Sequence, residues 1–261
     1  MTDGAGPLAG RVAMVTGVSR RAGIGFAIAR RLLDDGASVL VHSWAPADAE
    51  QPWGADAGGV DALLAELGGD VAHVAVDLSD PPAPHRLVAH AVATFGAVDI
   101  LVCNHARSSD FALEEVTADE LDLTFAVNAR AVVLLVQAFA GAHDDERPGG
   151  RVVLFTSGQD QGPMTREIPY ALSKGAVHQI TPSLADALAS RGITVNAVNP
   201  GPVDTGWPDD ELREALRDAF PTGRWGRPED IAPVVAWLAS DDSAWVTGQV
   251  VNAEGGFRRH P

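Results

Sequence analysis

Apolar runs of strand length, recurring between stretches of helical period, constrain this chain more than any other feature. The runs fall at residues 12–16, 38–42, 71–76, 100–103, 151–156, 194–198 and 250–252, and the amphipathic stretches at 25–35, 60–67, 85–95, 118–142, 170–190 and 228–240. Strands that are apolar throughout must be buried on both faces, and each intervening stretch is long enough for a crossover helix. The pattern predicts an α/β fold, a doubly wound parallel sheet of about seven strands with helices on both faces. No repeat, low-complexity block or linker divides the chain, so residues 1–261 are expected to form a single domain. Residues 43–59, rich in Ala, Pro and Asp with Trp44 and Trp53, fit neither period and are expected to form a long loop after the second strand.

Composition sets the outer bounds. With 46% hydrophobic residues among 261, the chain can bury a substantial core. Its 35 acidic against 19 basic side chains give a formal charge of −16, which repels phosphate backbones, so nucleic acid is not an expected partner. The longest apolar stretch, 131–142, is interrupted by Gln137 and is too short to span a bilayer, and the opening MTDGAGPLAGR has no apolar signal core. A soluble, cytoplasmic protein without membrane association is expected. Cys103 is the only cysteine, so no internal disulfide or cysteine metal cluster can form, and no metal site is expected.

The first apolar run ends at Gly17, which is followed after five residues by Gly23, Ile24 and Gly25 at the start of a helical pattern. Glycines there let the backbone approach a pyrophosphate, and the helix N-terminus offers it free N–H groups, the layout of a Rossmann-type dinucleotide site. Gly17, Ser19, Gly23, Ile24 and Gly25 are the candidate cradle; a tight turn without ligand is the plain alternative. After the second strand, an NAD site places an acid on the ribose 2′-hydroxyl, whereas an NADP site offers positive charge to a 2′-phosphate. Here the strand ends in His42, Ser43 and Trp44, while the glycine loop supplies Arg20 and Arg21. NADP(H) is the expected cofactor, unless both arginines are merely solvated.

Tyr170 is the only tyrosine and Lys174 the only lysine, four residues apart in a helical stretch, which puts them on one face. A phenol of pKa ~10 must fall by about three units, or about 4 kcal/mol, to exchange protons readily at neutral pH. A cation about 4 Å away at an effective dielectric near 20 supplies roughly that much, so Lys174 is expected to depress Tyr170. Ser157 sits at the end of the fifth run, thirteen residues before Tyr170. From there its hydroxyl could hydrogen-bond a substrate carbonyl, at the strand ends where α/β sheets place ligands.

Together these residues resemble the short-chain dehydrogenase/reductases. The matching pieces are TGVSRRAGIG at 16–25, Asn128 in FAVNARA, Ser157, YALSK at 170–174, NPGPVDT at 199–205, GRPEDIA at 226–232 and VTGQVVNAEGG at 246–256. They stand in the family's order over nearly the whole chain. The resemblance implies a proton relay of Asn128, Ser157, Tyr170 and Lys174. In it the tyrosine is the acid for ketone reduction and the base for the reverse. The lysine lowers the tyrosine pKa and binds the nicotinamide ribose, and the asparagine holds a water linking lysine to solvent. The resemblance further implies that Asp77 contacts adenine, with Leu78 beside it, although a turn or N-cap role fits Asp77 equally. It implies that Asn104 lines the cofactor floor and that Thr205 binds the carboxamide, with Pro200, Gly201 and Val203 around it. Pro200-Gly201 also makes a turn without any ligand.

Departures from the family pattern carry their own expectations. Five residues rather than three separate the first two glycines, which should lengthen the loop. CNHA at 103–106 replaces the family's NNAG and brings His105 near the cofactor, expected as a satisfied, partly buried residue rather than an acid or base. Pro182 should kink its helix beyond the Tyr–Lys pair. Residues 205–228 are expected to cover the site as a lid, with Trp207, Phe220 and Trp225 either walling the substrate or anchoring the segment. The reading is an NADP(H)-dependent oxidoreductase of a small carbonyl compound or secondary alcohol, similar to the 3-oxoacyl-[acyl-carrier-protein] reductase-like subgroup. The charge of −16 weighs against an acidic carrier as partner. The alternative is a dinucleotide-binding sensor without turnover; a sugar-nucleotide epimerase would need a longer chain. The apolar faces of 118–142 and 170–190 are expected, as in the family, to pack against a second subunit of a homodimer or homotetramer.

Overall fold

A computed structural model describes residues 6–259; residues 1–5, part of the opening stretch read for a signal, lie outside it. Strands β1 (Val12–Thr16), β2 (Ser38–Ser43), β3 (Val71–Ala75), β4 (Ile100–Cys103), β5 (Arg151–Phe155), β6 (Thr194–Asn199) and β7 (Val250–Asn252) form one sheet in the order β3-β2-β1-β4-β5-β6-β7. Every pairing is parallel. This is the Rossmann-type doubly wound sheet that the sequence predicts. The helices are α1 (Ile24–Asp34), α2 (Ala45–Ala49), α3 (Gly59–Leu67), α4 (Ala83–Phe95), α5 (Ala118–Phe125), α6 (Ala131–Ala142), α7 (Ile168–Ala189), α8 (Asp210–Ala215) and α9 (Pro228–Ala239), with a π turn at Ala126–Arg130 between α5 and α6.

The two-residue side-chain period of a strand divides the core into two layers. Ala13, Val15, Ile100, Val102, Val153 and Phe155 pack under α1, α3 and α9. Met14, Leu101, Cys103, Val152 and Leu154 pack on the opposite face under α4, α6 and α7. Both faces of the central strands are therefore dry, which is why their sequences are apolar throughout.

Two local expectations change. Residues 43–59 are not all loop, because α2 forms directly after β2 with Pro46 in its first turn. The 118–142 stretch is one helical run interrupted by the π turn. Counted with α5, it is long and apolar enough to cross a membrane, unlike the shorter run at 131–142; 67% of its most apolar window is buried inside the fold. Pro182 lies inside α7, beyond the Tyr–Lys pair, and the helix continues through it. The strand order reverses between β1 and β4, and this opens a crevice at their carboxyl ends.

Candidate active site

Close backbone approaches shape the loop from β1 into α1. Gly17 has a φ of 78°, and a side chain there would meet His105 Cα at 2.8 Å and Asn104 Nδ2 at 2.9 Å. A side chain on Gly25 would overlap the Gly17 carbonyl. Asn104 Nδ2 donates to the Thr16 and Gly17 carbonyls at 3.0 and 3.2 Å, and Gly17 N–H donates to His42 Nδ1 at 3.3 Å. The other ring nitrogen of His42 lies 2.9 Å from the Val76 carbonyl, so Nε2 carries the proton. Burial pushes this imidazole down to about 4 and that of His105, against which it packs at 5.2 Å, down to about 3. Both are neutral at pH 7, and His105 acts as a wall of the crevice rather than an acid.

The crevice has a volume of about 200 Å³, and Gly17, Ser19, Arg20, Gly23, Ile24, Asn104 and Thr205 line it as the sequence predicts. Gly23 opens α1 without a side-chain cap, and no acid stands in the first turn, so the first amides of the helix remain available to an anion. Uncapped amides beside glycines that leave no room for a Cβ suit a pyrophosphate. Arg20 Nη2 donates across the crevice to the Thr205 carbonyl at 2.7 Å, and its guanidinium lies 5.6 Å from the Trp53 ring.

The Arg21 and Ser43 side chains are placed differently from the expected cofactor contacts. Arg21 is turned away from the crevice, because Glu66 accepts from its Nε at 2.6 Å and Asp56 pairs with its Nη1; two carboxylates hold it in the fold. Ser43 is buried and its hydroxyl is hydrogen-bonded to His73 Nε2 at 2.8 Å, so it presents no polar group to the crevice. Asp77 Oδ1 accepts from Ser79 N–H at 2.7 Å, a turn role that is compatible with the expected adenine contact, and Leu78 packs its side chain into the core under α4. Conversely, an acid that no strand-end reading would find reaches the site: Asp48, on α2, lines the crevice beside Ser19 and Arg20, and burial raises its pKa. Its only sequence signal is its place five residues past Ser43, together with the Trp-bearing insertion that folds back over the loop.

At the carboxyl end of β5, Tyr170 and Lys174 lie on the same face of α7, with Nζ 5.6 Å from the phenol ring centroid. Lys174 is 3% exposed, and Nζ donates to the Phe155 carbonyl at 2.9 Å. Burial pushes the ammonium down to about 8. It also pushes the phenol up to about 12, helped by the nearby Glu167 carboxylate, while hydrogen bonding from the Ser157 side chain pulls the other way. Among the protein's own groups, removal from water outweighs the attraction between the two, so the expected depression of Tyr170 by Lys174 is not seen here, and the ammonium rests on a backbone carbonyl.

Asn128 lies in the π turn and is fully buried. Its Oδ1 accepts from Arg107 N–H at 2.7 Å, and its Nδ2 donates to the Arg107 carbonyl and Ser173 Oγ, both at 3.0 Å. The Ser173 hydroxyl donates in turn to the Tyr170 carbonyl at 2.7 Å. Both amide protons of Asn128 are thus committed to tying the loop after β4 to the N-terminal half of α7, which fixes the side chain beside the Tyr–Lys pair. Asn199 Oδ1 accepts from Gly201 N–H at 3.1 Å, and Gly201 has a φ of 63°, so the 199–201 turn is held whether or not a ligand is present. Val203 is buried, and Pro200 precedes the turn's glycine at the end of β6. Of the three lid aromatics, Phe220 is an anchor at 4% exposure, packed 5.1 Å from Trp225, whereas Trp207 is 40% exposed. Among the described residues, no group of three His, Cys, Asp or Glu side chains is arranged to hold a metal.

Comparison with known proteins agrees with this geometry. Residues 17–258 match the family described as enoyl-(acyl carrier protein) reductase. The human dehydrogenase/reductase SDR family member 4 is 37% identical, over 96% of this chain and 88% of that protein. The crystal structure of a blue fluorescent protein from a metagenomic library in complex with NADPH superposes with a TM-score of 0.85 at 34% identity, covering 96% of this chain and 99% of the other. The promiscuous reductase LugOII, which catalyses keto-reduction at C1 during lugdunomycin biosynthesis, superposes with a TM-score of 0.83 at 36% identity, covering 96% and 98%. The chain belongs to the short-chain dehydrogenase/reductase family and is an oxidoreductase.

Proposed function

We propose that the protein is an NADP(H)-dependent ketoreductase that interconverts a small ketone and its secondary alcohol. The observation that carries the reading is the convergence of the Ser157 hydroxyl and the Tyr170 phenol, backed by the buried Lys174 ammonium, at the strand ends beside the crevice. The dinucleotide, when bound, supplies or accepts the hydride. The remaining work falls to the chain's own groups. Gly17, Ser19, Gly23, Ile24 and the first amides of α1 hold the pyrophosphate, with Gly25 keeping the helix close. Ser157 donates a hydrogen bond to the substrate carbonyl oxygen, and Tyr170 gives that oxygen its proton. Lys174 stabilises the phenolate left behind.

Arg20 supports NADP(H) over NAD(H). Arg21 is neutralised by two carboxylates, whereas Arg20 donates to a neutral carbonyl and feels Asp48 and Asp56 without a close ion pair to either, so it can turn to a 2′-phosphate once it leaves Thr205. A volume of about 200 Å³ is below the ~300–1,000 Å³ usual for a ligand site, so this release is part of cofactor entry. Residues 205–228 act as the lid, and the carbonyl compound is a free small molecule in the cytoplasm, with neither nucleic acid nor membrane as partner. An apolar surface between α6 and α7, with Phe125 and Val133 exposed and Leu172 nearby on α7, supports self-association into a dimer or tetramer.

The matching family's description favours a second reading, reduction of a carbon–carbon double bond. Two neighbouring hydroxyls, from Ser157 and Tyr170, suit a carbonyl oxygen better. The test is a panel of ketones, secondary alcohols and enones followed by NADPH absorbance, with Tyr170→Phe as control. We expect ketone turnover that is lost in Tyr170→Phe while NADPH still binds. Turnover that survives the substitution refutes the assignment, and binding without turnover on any substrate favours a sensor.

A further inference from the structure

The chain's last described turn reaches the active-site loops from behind. Arg259 Nη1 donates to Glu254 Oε2 at 2.8 Å, and its Nη2 pairs with Oε1 of the same carboxylate. The pair is mostly buried, with side-chain exposures of 18% and 10%. The guanidinium lies flat against Gly158, the residue after Ser157, where any Cβ would overlap it, and the Arg259 Cδ would lie 3.0 Å from a Cβ on Gly162. Glu254 is engaged on its other side. Its Oε1 accepts from Asn199 Nδ2 at 3.0 Å, and its Cβ and Cγ fill the space where a Gly201 side chain would project, both 2.8 Å from that position. Phe257, between the two charged residues, packs 4.9 Å from Phe220 of the lid segment.

From this arrangement we infer that the Arg259–Glu254 pair is a positioning device for the reduction: it fixes the Ser157 loop against the 199–201 turn, so that the carbonyl-binding hydroxyl and the nicotinamide side of the crevice keep one spacing. The physical case is that the 199–201 turn is held by its own Asn199–Gly201 bond, whereas the Ser157 loop gains a fixed position against it through this pair. Gly158 and Gly162 allow the Ser157 loop many backbone conformations, whereas a bidentate guanidinium–carboxylate bond shielded from water holds one geometry. Displacements of an ångström between reacting groups are enough to depress turnover. Neither residue touches the reacting atoms, and the effect is on alignment rather than on binding.

The inference rests on the ketoreductase reading, and the experiment separates the two. Full-length Arg259→Met, Glu254→Gln and the double variant are compared with wild type for kcat on the best ketone of the panel and for NADPH affinity by fluorescence titration, with Tyr170→Phe assayed alongside. The expected result is a fall in kcat of about fivefold or more for each single variant, an NADPH Kd within about twofold of wild type, and a double variant no worse than the weaker single. A kcat for Arg259→Met closer to wild type than about fivefold, or a loss that appears in the NADPH Kd instead, overturns the inference. Should Arg259→Met fail to fold, Arg259→Lys, which keeps the charge but gives up one of the two bonds, is read by the same criteria. If Tyr170→Phe is inactive while Arg259→Met is fully active, only the positioning role fails; if Tyr170→Phe turns over like wild type, the ketoreductase reading itself fails.

Discussion

Replacing Lys174 by methionine should make the protein inactive yet change its stability in a way that depends on pH. The lysine is buried, its ammonium rests on one carbonyl, and its pKa is pushed down to about 8 from an unfolded value near 10.4. Between those two values the unfolded chain binds more protons than the folded one, so stability rises with pH across that window. Worked through, the buried ammonium costs about 3 kcal/mol at pH 7, about 2 at pH 9 and about 1 at pH 10. Methionine removes this cost at every pH, but it leaves the Phe155 carbonyl without its donor, a loss of about 1–3 kcal/mol that does not titrate. The stability of Lys174→Met minus that of wild type should therefore fall by about 2 kcal/mol between pH 7 and pH 10, whatever its starting offset. Urea denaturation of both proteins at pH 7, 8, 9 and 10 measures it. A difference that stays flat over this range, or grows with pH, would refute the claim that burial governs this lysine.

The remaining expectations concern the crevice and the far end of the sheet. Arg20→Ala should weaken NADPH binding by about 10- to 100-fold and leave NADH nearly unchanged, while Arg21→Ala changes neither by more than about twofold; equal losses for both cofactors from Arg20→Ala would defeat the 2′-phosphate role. Asp99 is fully buried at the amino end of β4 and accepts from Val12 N–H at 2.8 Å and from Arg147 at 2.7 and 2.8 Å. Burial alone would raise this carboxyl, but those bonds outweigh it and hold the pKa below the usual range. Its stabilisation is thus present above the unfolded pKa near 3.9 and is lost as pH falls through the lower folded value. Arg147→Met should cost about 3–5 kcal/mol at pH 7, since it strands a buried carboxylate, and calorimetry showing a loss below about 1 kcal/mol would sink that account.

The sheet was legible because each central strand is dry on both faces and so cannot disguise its apolar run; Met14 and Val15 are equally buried on opposite sides. The cradle glycines were legible for a related reason, since only a backbone without Cβ fits between Gly17, Gly25 and the loop after β4. What the chain did not disclose were partnerships set by tertiary contact. Arg20 and Arg21 are adjacent and chemically identical, yet Asp56 and Glu66 claim one and leave the other in the crevice. Asp48 escaped because it enters from a five-residue helix with no periodic signal. Glu254 and Arg259 escaped because the glycines they pack against, Gly201 for the one and Gly158 and Gly162 for the other, lie from about fifty to about a hundred residues upstream.

The Tyr170–Lys174 pair shows where the boundary lies between what spacing determines and what it does not. A separation of four residues fixes the face of the helix, and the two groups do share it. The pKa, however, depends on depth, which no interval along the chain encodes. An ammonium at about 4 Å in a medium of effective dielectric near 20 would favour the phenolate by roughly 4 kcal/mol, but the same dry surroundings that strengthen this attraction penalise each charge separately. The net result is a phenol at about 12 and an ammonium at about 8, each moved toward its neutral form. In such a site the hydroxyl of Ser157 lowers the phenol pKa without adding a charge that must itself be buried. Its placement beside Tyr170 therefore bears on how readily the proton moves, and the contacts that hold the Ser157 loop act through that placement, while the proton transfer itself stays with the Tyr170–Lys174 pair.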